Sequence, residues 1–218
     1  MTTSAEPESN TRAGTPDLHL QHLSFSVDAD MISRFLKLLE RGCKLKIKTG
    51  TPIKQLLCQN LGIPEDYVDN RIQTIFLNGK PVDDVDTATA ENGSILALSA
   101  AMPGLVGITL RKGGFYASFR SNITYTKQPT QHTADAGNMV LKLFNMVAKE
   151  LGPEFLARGI RIECAALHDF IHRNLDDLKA AGVAIQMSNK KLDLAALLDI
   201  NWKNKEVFIQ VASDSKNA

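Results

Sequence analysis

Apolar and basic residues alternate along Cys43-Lys44-Leu45-Lys46-Ile47-Lys48, the pattern of a strand with one buried face. The period then changes. Thr51 is placed to cap a helix and Pro52 suits a first helical position. Ile53, Leu56, Leu57 and Leu61 follow at helical spacing, and Gly62 is a stop signal. Two compact apolar runs come next. The first is Ile75 to Leu77, closed by the Asn78-Gly79 turn and Pro81. The second is Ile95 to Ala101, opened by Asn92-Gly93 and closed by Met102-Pro103-Gly104. The predicted order is strand, helix, strand, strand.

The flanks extend this pattern. Leu18 to Asp28 reads as a strand through Leu20, Leu23, Phe25 and Val27. Ala29 to Arg41 reads as a helix capped by Asp28, with Ile32, Phe35, Leu36 and Leu39 on one face. Downstream, Gly107 to Leu110 and Phe115 to Tyr125 suggest a hairpin around Arg111-Lys112-Gly113-Gly114. Gln128 to Thr133 reads as a polar loop. A helix is expected over Ala134 to Leu151, ended by Gly152-Pro153. Glu154 to Ala181 reads as mostly helical with a break near Gly159, and Glu206 to Ala212 as a last strand. The fold class that follows is α+β.

Composition narrows the class. The chain has 218 residues, 44% hydrophobic and 22% charged, with a formal net charge of +1. That balance creates no global field to gather nucleic acid or an anionic membrane. No apolar run approaches the roughly 20 residues that span a bilayer, and the N-terminus lacks a signal-peptide pattern. Three cysteines, Cys43, Cys58 and Cys164, have no paired spacing and fit a reducing cytoplasm. Residues 1–17 lack large apolar side chains and are expected to be a disordered arm. The expected division is then 18–106 and 107–218, the latter an α+β half that could pack with the first as one unit.

The motifs of 18–102 resemble a β-grasp domain. Gly50-Thr51-Pro52-Ile53-Lys54-Gln55-Leu56-Leu57, Leu77-Asn78-Gly79 and Gly93-Ser94-Ile95-Leu96-Ala97-Leu98 are similar to motifs of the ubiquitin-like sulfur carriers of thiamine and molybdopterin synthesis. The resemblance implies a mixed sheet with the Thr51 to Leu61 helix across one face. It also implies a carrier that ends in a free Gly-Gly carboxylate. Here the matching place reads Met102-Pro103-Gly104-Leu105-Val106-Gly107 and more than a hundred residues follow. Carrier chemistry would require processing after Gly104 or Gly107.

Candidate chemistry is sparse. Cys164, His168 and His172 are spaced i, i+4, i+8 on a predicted helix, and cysteine with histidine suits zinc. Cys164 also falls in the apolar stripe of Leu167, Ile171 and Leu175, so a structural thiol with diverging imidazoles is the expectation and a metal site the alternative. Arg111, Lys112, Gly113 and Gly114 with Arg120 could bind an anion through backbone amides and cations, and Tyr116 could stack on a base. A plain basic turn is the alternative. Asp83, Asp84 and Asp86 lack the spacing of a calcium loop and read as solvated. Trp202 lies in a polar context. No cofactor motif is present.

The functional expectation is an interaction or scaffold module that binds a protein partner or itself, with no membrane or nucleic-acid role. An enzyme of sulfur or metal chemistry using Cys164 and His168 is the first alternative, and a phosphate or nucleic-acid binder at the Arg111 to Gly114 turn is the second.

Overall fold

The computed structural model describes residues 20–126, 135–200, 202 and 205–213. The arm and the loop expected at 1–17 and 128–133 lie outside them. In chain order the elements are β1 (Gln21–Val27), α1 (Ala29–Arg41), β2 (Cys43–Lys48), β3 (Thr51–Pro52) and α2 (Ile53–Gln55). Helix α2 runs on as a π-helical turn, Leu56–Asn60, and a second such turn covers Tyr67–Arg71. Then come β4 (Thr74–Leu77), β5 (Lys80–Pro81), β6 (Thr89–Ala90), β7 (Ile95–Ser99), α3 (Gly104–Leu110) and a 3-10 helix, Phe115–Arg120. The chain closes with β8 (Ala136–Phe144), α4 (Asn145–Arg158), β9 (Ile160–Glu163), α5 (Cys164–Arg173), α6 (Leu175–Ala180), β10 (Ala184–Met187), β11 (Lys190–Leu192), α7 (Leu194–Leu198) and β12 (Glu206–Ser213).

The protein is α+β. Ten strands form one mixed sheet in the order β11-β10-β1-β12-β9-β2-β8-β7-β4-β5. Strands β1 and β12 are parallel, as are β7 and β8, and the other pairs are antiparallel. One face of the sheet is apolar throughout. Leu23, Phe25 and Val27, Val207, Ile209 and Val211, Met139, Leu141 and Leu143, and Leu96 and Leu98 are all buried on it. Their alternating neighbours Ser24, Gln210, Lys46 and Asn138 are exposed. This is the period-two signature of a sheet covered on one side.

Helices α1, α4 and α5 supply much of the cover, with α4 reaching from β12 to β7. Asp28 caps α1 by accepting from Met31 N–H at 2.7 Å, as its position suggested. Leu56 and Leu57, from the Thr51 to Leu61 segment, are buried in the same continuous core. Each such side chain contributes about 1.5–3 kcal/mol of apolar transfer energy.

Five local expectations need correction. Thr51 does not cap the helix: with Pro52 it forms β3, paired with β6, and its hydroxyl donates to Lys48 O at 2.6 Å. The strand at 21–27 does not join the β2–β4–β7 group; it pairs with β10 and β12, at the other end of the sheet. The helix expected over Ala134 to Leu151 is split. Residues 136–144 form β8, because β2 and β7 pair with it along both edges. Asn145, at a φ of 54°, then turns the chain into α4, which runs through Pro153. Within the expected helical stretch Glu154 to Ala181, the alternating Ile160-Arg161-Ile162-Glu163 pairs with β12 as β9. Finally, the predicted hairpin over 107–125 is α3 followed by 3-10 and turn structure. No described strand pairs with it; its backbone reaches backbone elsewhere through Lys112 N–H to Gln73 O, at 2.7 Å, and Tyr125 N–H to Pro81 O, at 2.8 Å.

Strand β8 comes from beyond residue 107 yet lies between β2 and β7. The stretches 18–106 and 107–218 therefore interleave in one sheet.

Candidate functional site

Between β7 and β8 the chain leaves the sheet and forms an apolar arm. Nine large hydrophobic side chains are exposed among the described residues. Two are Ile95 and Met146; the other seven, Leu105, Val106, Ile108, Phe115, Tyr116, Phe119 and Ile123, all belong to the arm. Phe115 and Phe119 are 88% and 80% exposed. Tyr116 links them, with ring centroids 5.2 Å from Phe115 in an edge-on arrangement and 5.9 Å from Phe119. Scattered exposed apolar residues are ordinary on a protein surface, whereas a contiguous set marks a contact site.

The arm is held by polar bonds. Arg120 is only 5% exposed. Its guanidinium donates to both oxygens of Asp83, at 2.6 and 3.0 Å, to Thr109 O at 2.6 Å, to Thr124 Oγ1 at 2.8 Å and to Arg111 O at 3.2 Å. Those bonds tie α3, the glycine turn and the end of the 3-10 helix to the loop after β5. Gly113 N–H adds a third bond to the Asp83 carboxylate, at 2.9 Å. Lys112 is fixed through both ends: its N–H donates to Gln73 O and its ammonium to Val68 O, each at 2.7 Å. Burial pushes the Lys112 amine down from its ordinary value. At the root of the arm, a Cβ on Gly107 would stand 1.9 Å from Met102 O, so the first turn of α3 closes only on glycine.

Of the predicted anion-binding residues Arg111, Lys112, Gly113, Gly114 and Arg120, the structure brings Gly113 and Arg120 onto a carboxylate of the same chain, while the Lys112 ammonium turns to Val68 O and Gly114 N–H to Arg111 O. The Gly113 amide and the Arg120 fork both hold Asp83. Arg111 is exposed at the rim. Sequence reasoning missed Asp83, which it read as a solvated loop residue beside Asp84 and Asp86. Asp84 does behave locally, accepting from Asp86 N–H, Thr87 N–H and Thr87 Oγ1.

The Cys164, His168 and His172 set is not brought together. Cys164 is buried in the core, and burial raises its thiol pKa. His168 and His172 are exposed, their rings stacked 6.5 Å apart. Among the described residues no group of three or more His, Cys, Asp or Glu side chains could hold a metal ion. Trp202 is half-buried and packs against the core. No described helix is long and apolar enough to cross a membrane.

No protein family, curated protein or solved structure matches this chain.

Proposed function

We propose that the protein is an interaction module, in which a β-grasp-like sheet presents the 104–126 arm to a protein partner. The grasp-like part is the group β2, β8, β7, β4 and β5 with the α2 segment packed beneath it. The observation that carries the reading is the exposure of seven large apolar side chains on a segment pinned by a buried ion pair. An ordered apolar surface loses little conformational entropy when it docks.

Charge indicates what the partner offers. From Asn92 to Ala134 the sequence contains no Asp or Glu; Arg120 is taken up by Asp83 and the Lys112 ammonium by Val68 O, which leaves Arg111 exposed beside the apolar surface. An apolar hollow with an acidic rim complements such a surface. The carrier chemistry of the resembling family is not part of the reading, since a chain ending at Gly104 or Gly107 would lack β8.

The test is affinity capture from the native cell, comparing the natural chain with a Phe115→Ser/Phe119→Ser variant of equal thermal stability. A stoichiometric protein partner should be recovered with the first and lost with the second, and its purified form should bind more weakly as salt rises. An identical set of captured proteins for both would sink the proposal. So would binding only to itself or only to lipid vesicles.

A further inference from the structure

On the helical side of the sheet, α1, α5 and the end of β8 enclose a cleft of about 470 Å³. Its apolar wall is Leu38, Phe144 and Phe170; its rim carries Lys37, Arg41 and Arg173 together with the carboxylate of Glu40 and the amide of Asn174. The size falls in the range of small-molecule sites, and an apolar body with a few directed polar groups is their usual composition.

The two arginines are unusually placed. Arg41, in the last turn of α1, and Arg173, at the end of α5, converge on one carboxylate, Asp169. Each guanidinium has several N–H donors and gives Asp169 only one hydrogen bond, from Arg41 Nη2 and from Arg173 Nε, the latter at 2.9 Å. Most of both forks is left to other acceptors. At the two helix C-termini, some of the last carbonyls are taken within the chain. Leu38 O takes Gly42 N–H, and Phe170 O takes Asn174 N–H and Nδ2. Lys37 is bonded to Glu40 at 3.0 Å, at the solvent edge. A second hollow of about 260 Å³, lined in part by Lys44, Lys142 and Glu163, adjoins the first and shares Arg41 with it.

We propose that this cleft binds a small organic anion: a ring or short acyl body against Phe144, Phe170 and Leu38, with its carboxylate or phosphate on the Arg41 and Arg173 forks. Asp169 holds the two guanidinium groups at a common point and competes with the incoming anion for them. The inference is independent of the arm, which neither lines nor borders the cleft.

Calorimetry with naphthoate and with phenyl phosphate tests it, with naphthamide as the uncharged control. Naphthoate, phenyl phosphate or both should bind one saturable site, the stronger naming the headgroup. Arg41→Gln, Arg173→Gln and Phe144→Ala should each weaken binding about tenfold, and Phe115→Ser/Phe119→Ser should leave it unchanged. Asp169→Asn should tighten it, an outcome that a purely structural Asp169 would not produce. Circular dichroism identifies any variant that fails to fold, and the remaining ones then decide. The proposal is overturned if neither anion saturates by millimolar concentration, if naphthamide binds equally, or if binding disappears with the arm variant. Weaker binding by a folded Asp169→Asn chain would also overturn it.

Discussion

Asp83 and Arg120 meet through two charge-assisted bonds of 2.6 and 3.0 Å, with the arginine side chain almost wholly closed to water. The pair joins the loop after β5 to the end of the 3-10 helix, and it is the main polar link between the arm and the sheet. Removing one member leaves the other without its counter-charge, which costs more than the pair contributes when intact.

Asp83→Ala should therefore destabilise the docked arm by about 2–3 kcal/mol, at the low end for a buried pair because Asp83 is partly exposed. The effect should be local. Hydrogen exchange should speed up at the amides of Lys112, Gly113 and Tyr125, which the docked arm holds, and stay unchanged in β7 and β8. A double variant, Asp83→Leu with Arg120→Met, should recover part of the loss, since it leaves no unpaired buried charge. Equal exchange rates in the natural chain and Asp83→Ala would show that the arm is held by something else.

A second linkage responds to pH. Glu150 on α4 accepts from Arg71 Nε and Nη2 and from Tyr67 Oη, the last at 2.7 Å. Arg71, and after it Tyr67, holds the Glu150 carboxyl down at about 2, from an ordinary 4.5. Because the folded value is the lower one, this stability is fully present above pH 4.5 and is lost as pH falls toward 2. Tyr67 is shifted the other way, by burial first and by Glu150 second, so its share is present below an ordinary pKa of 10 and lost as pH rises above it. Water reaches the cluster, which limits the acid effect to about 1 kcal/mol. Glu150→Gln should flatten the acid limb of a stability profile measured by urea unfolding. A profile that keeps the same limb would rule out this cluster as its source.

How legible was this structure in its sequence? The strand, helix, strand, strand order of 43–101 was, because its period switches cleanly and Asn78-Gly79 and Asn92-Gly93 punctuate it. Strand β8 was not. Val140, Leu143 and Phe144 fit a helical stripe as well as Met139, Leu141 and Leu143 fit a strand face, and only the distant partners β2 and β7 decide between them. The arm misled for a related reason. Phe115, Ala117 and Phe119 alternate as a buried strand face would, but no strand pairs with them, and the anchor Asp83 lies 37 residues from Arg120. Residue type alone does not distinguish an aromatic that is buried from one held out for contact.

Gly152 shows the same ambiguity in a form that can be tested. Beside Pro153 it reads as a helix stop, yet it is buried inside α4, where that helix crosses α1. A Cβ there would stand 2.4 Å from Leu36 Cδ2 and 3.1 Å from Leu39 Cδ1. Gly152→Ala gains about 1 kcal/mol of helix propensity and loses a comparable amount in moving Leu36, so its melting temperature should barely change. Gly152→Leu has no such slack and should cost about 2–3 kcal/mol through overpacking. Thermal melts of the two variants check this; an unchanged Gly152→Leu would mean that the two helices are not closely packed.

The interleaving of the chain makes the final prediction. Every residue of β2, Cys43 to Lys48, is in register with β8, and so is every residue of β7, Ile95 to Ser99. A chain ending at Gly107, the form that carrier chemistry would need, loses this strand from the middle of the sheet. It also loses α4, whose Val147, Phe155 and Leu156 cover the core. Strands β1 and β2 would lose every partner and β7 one edge, leaving these edges and a broad apolar face open to water, a state prone to pair with other chains. The truncated chain should show no cooperative thermal or urea transition and should aggregate. The intact chain should be the form recovered from its native cell, as read by mass spectrometry. A soluble, cooperatively folded monomer ending at Gly107 would show that 18–107 holds a complete core without β8, and would bring the carrier reading back.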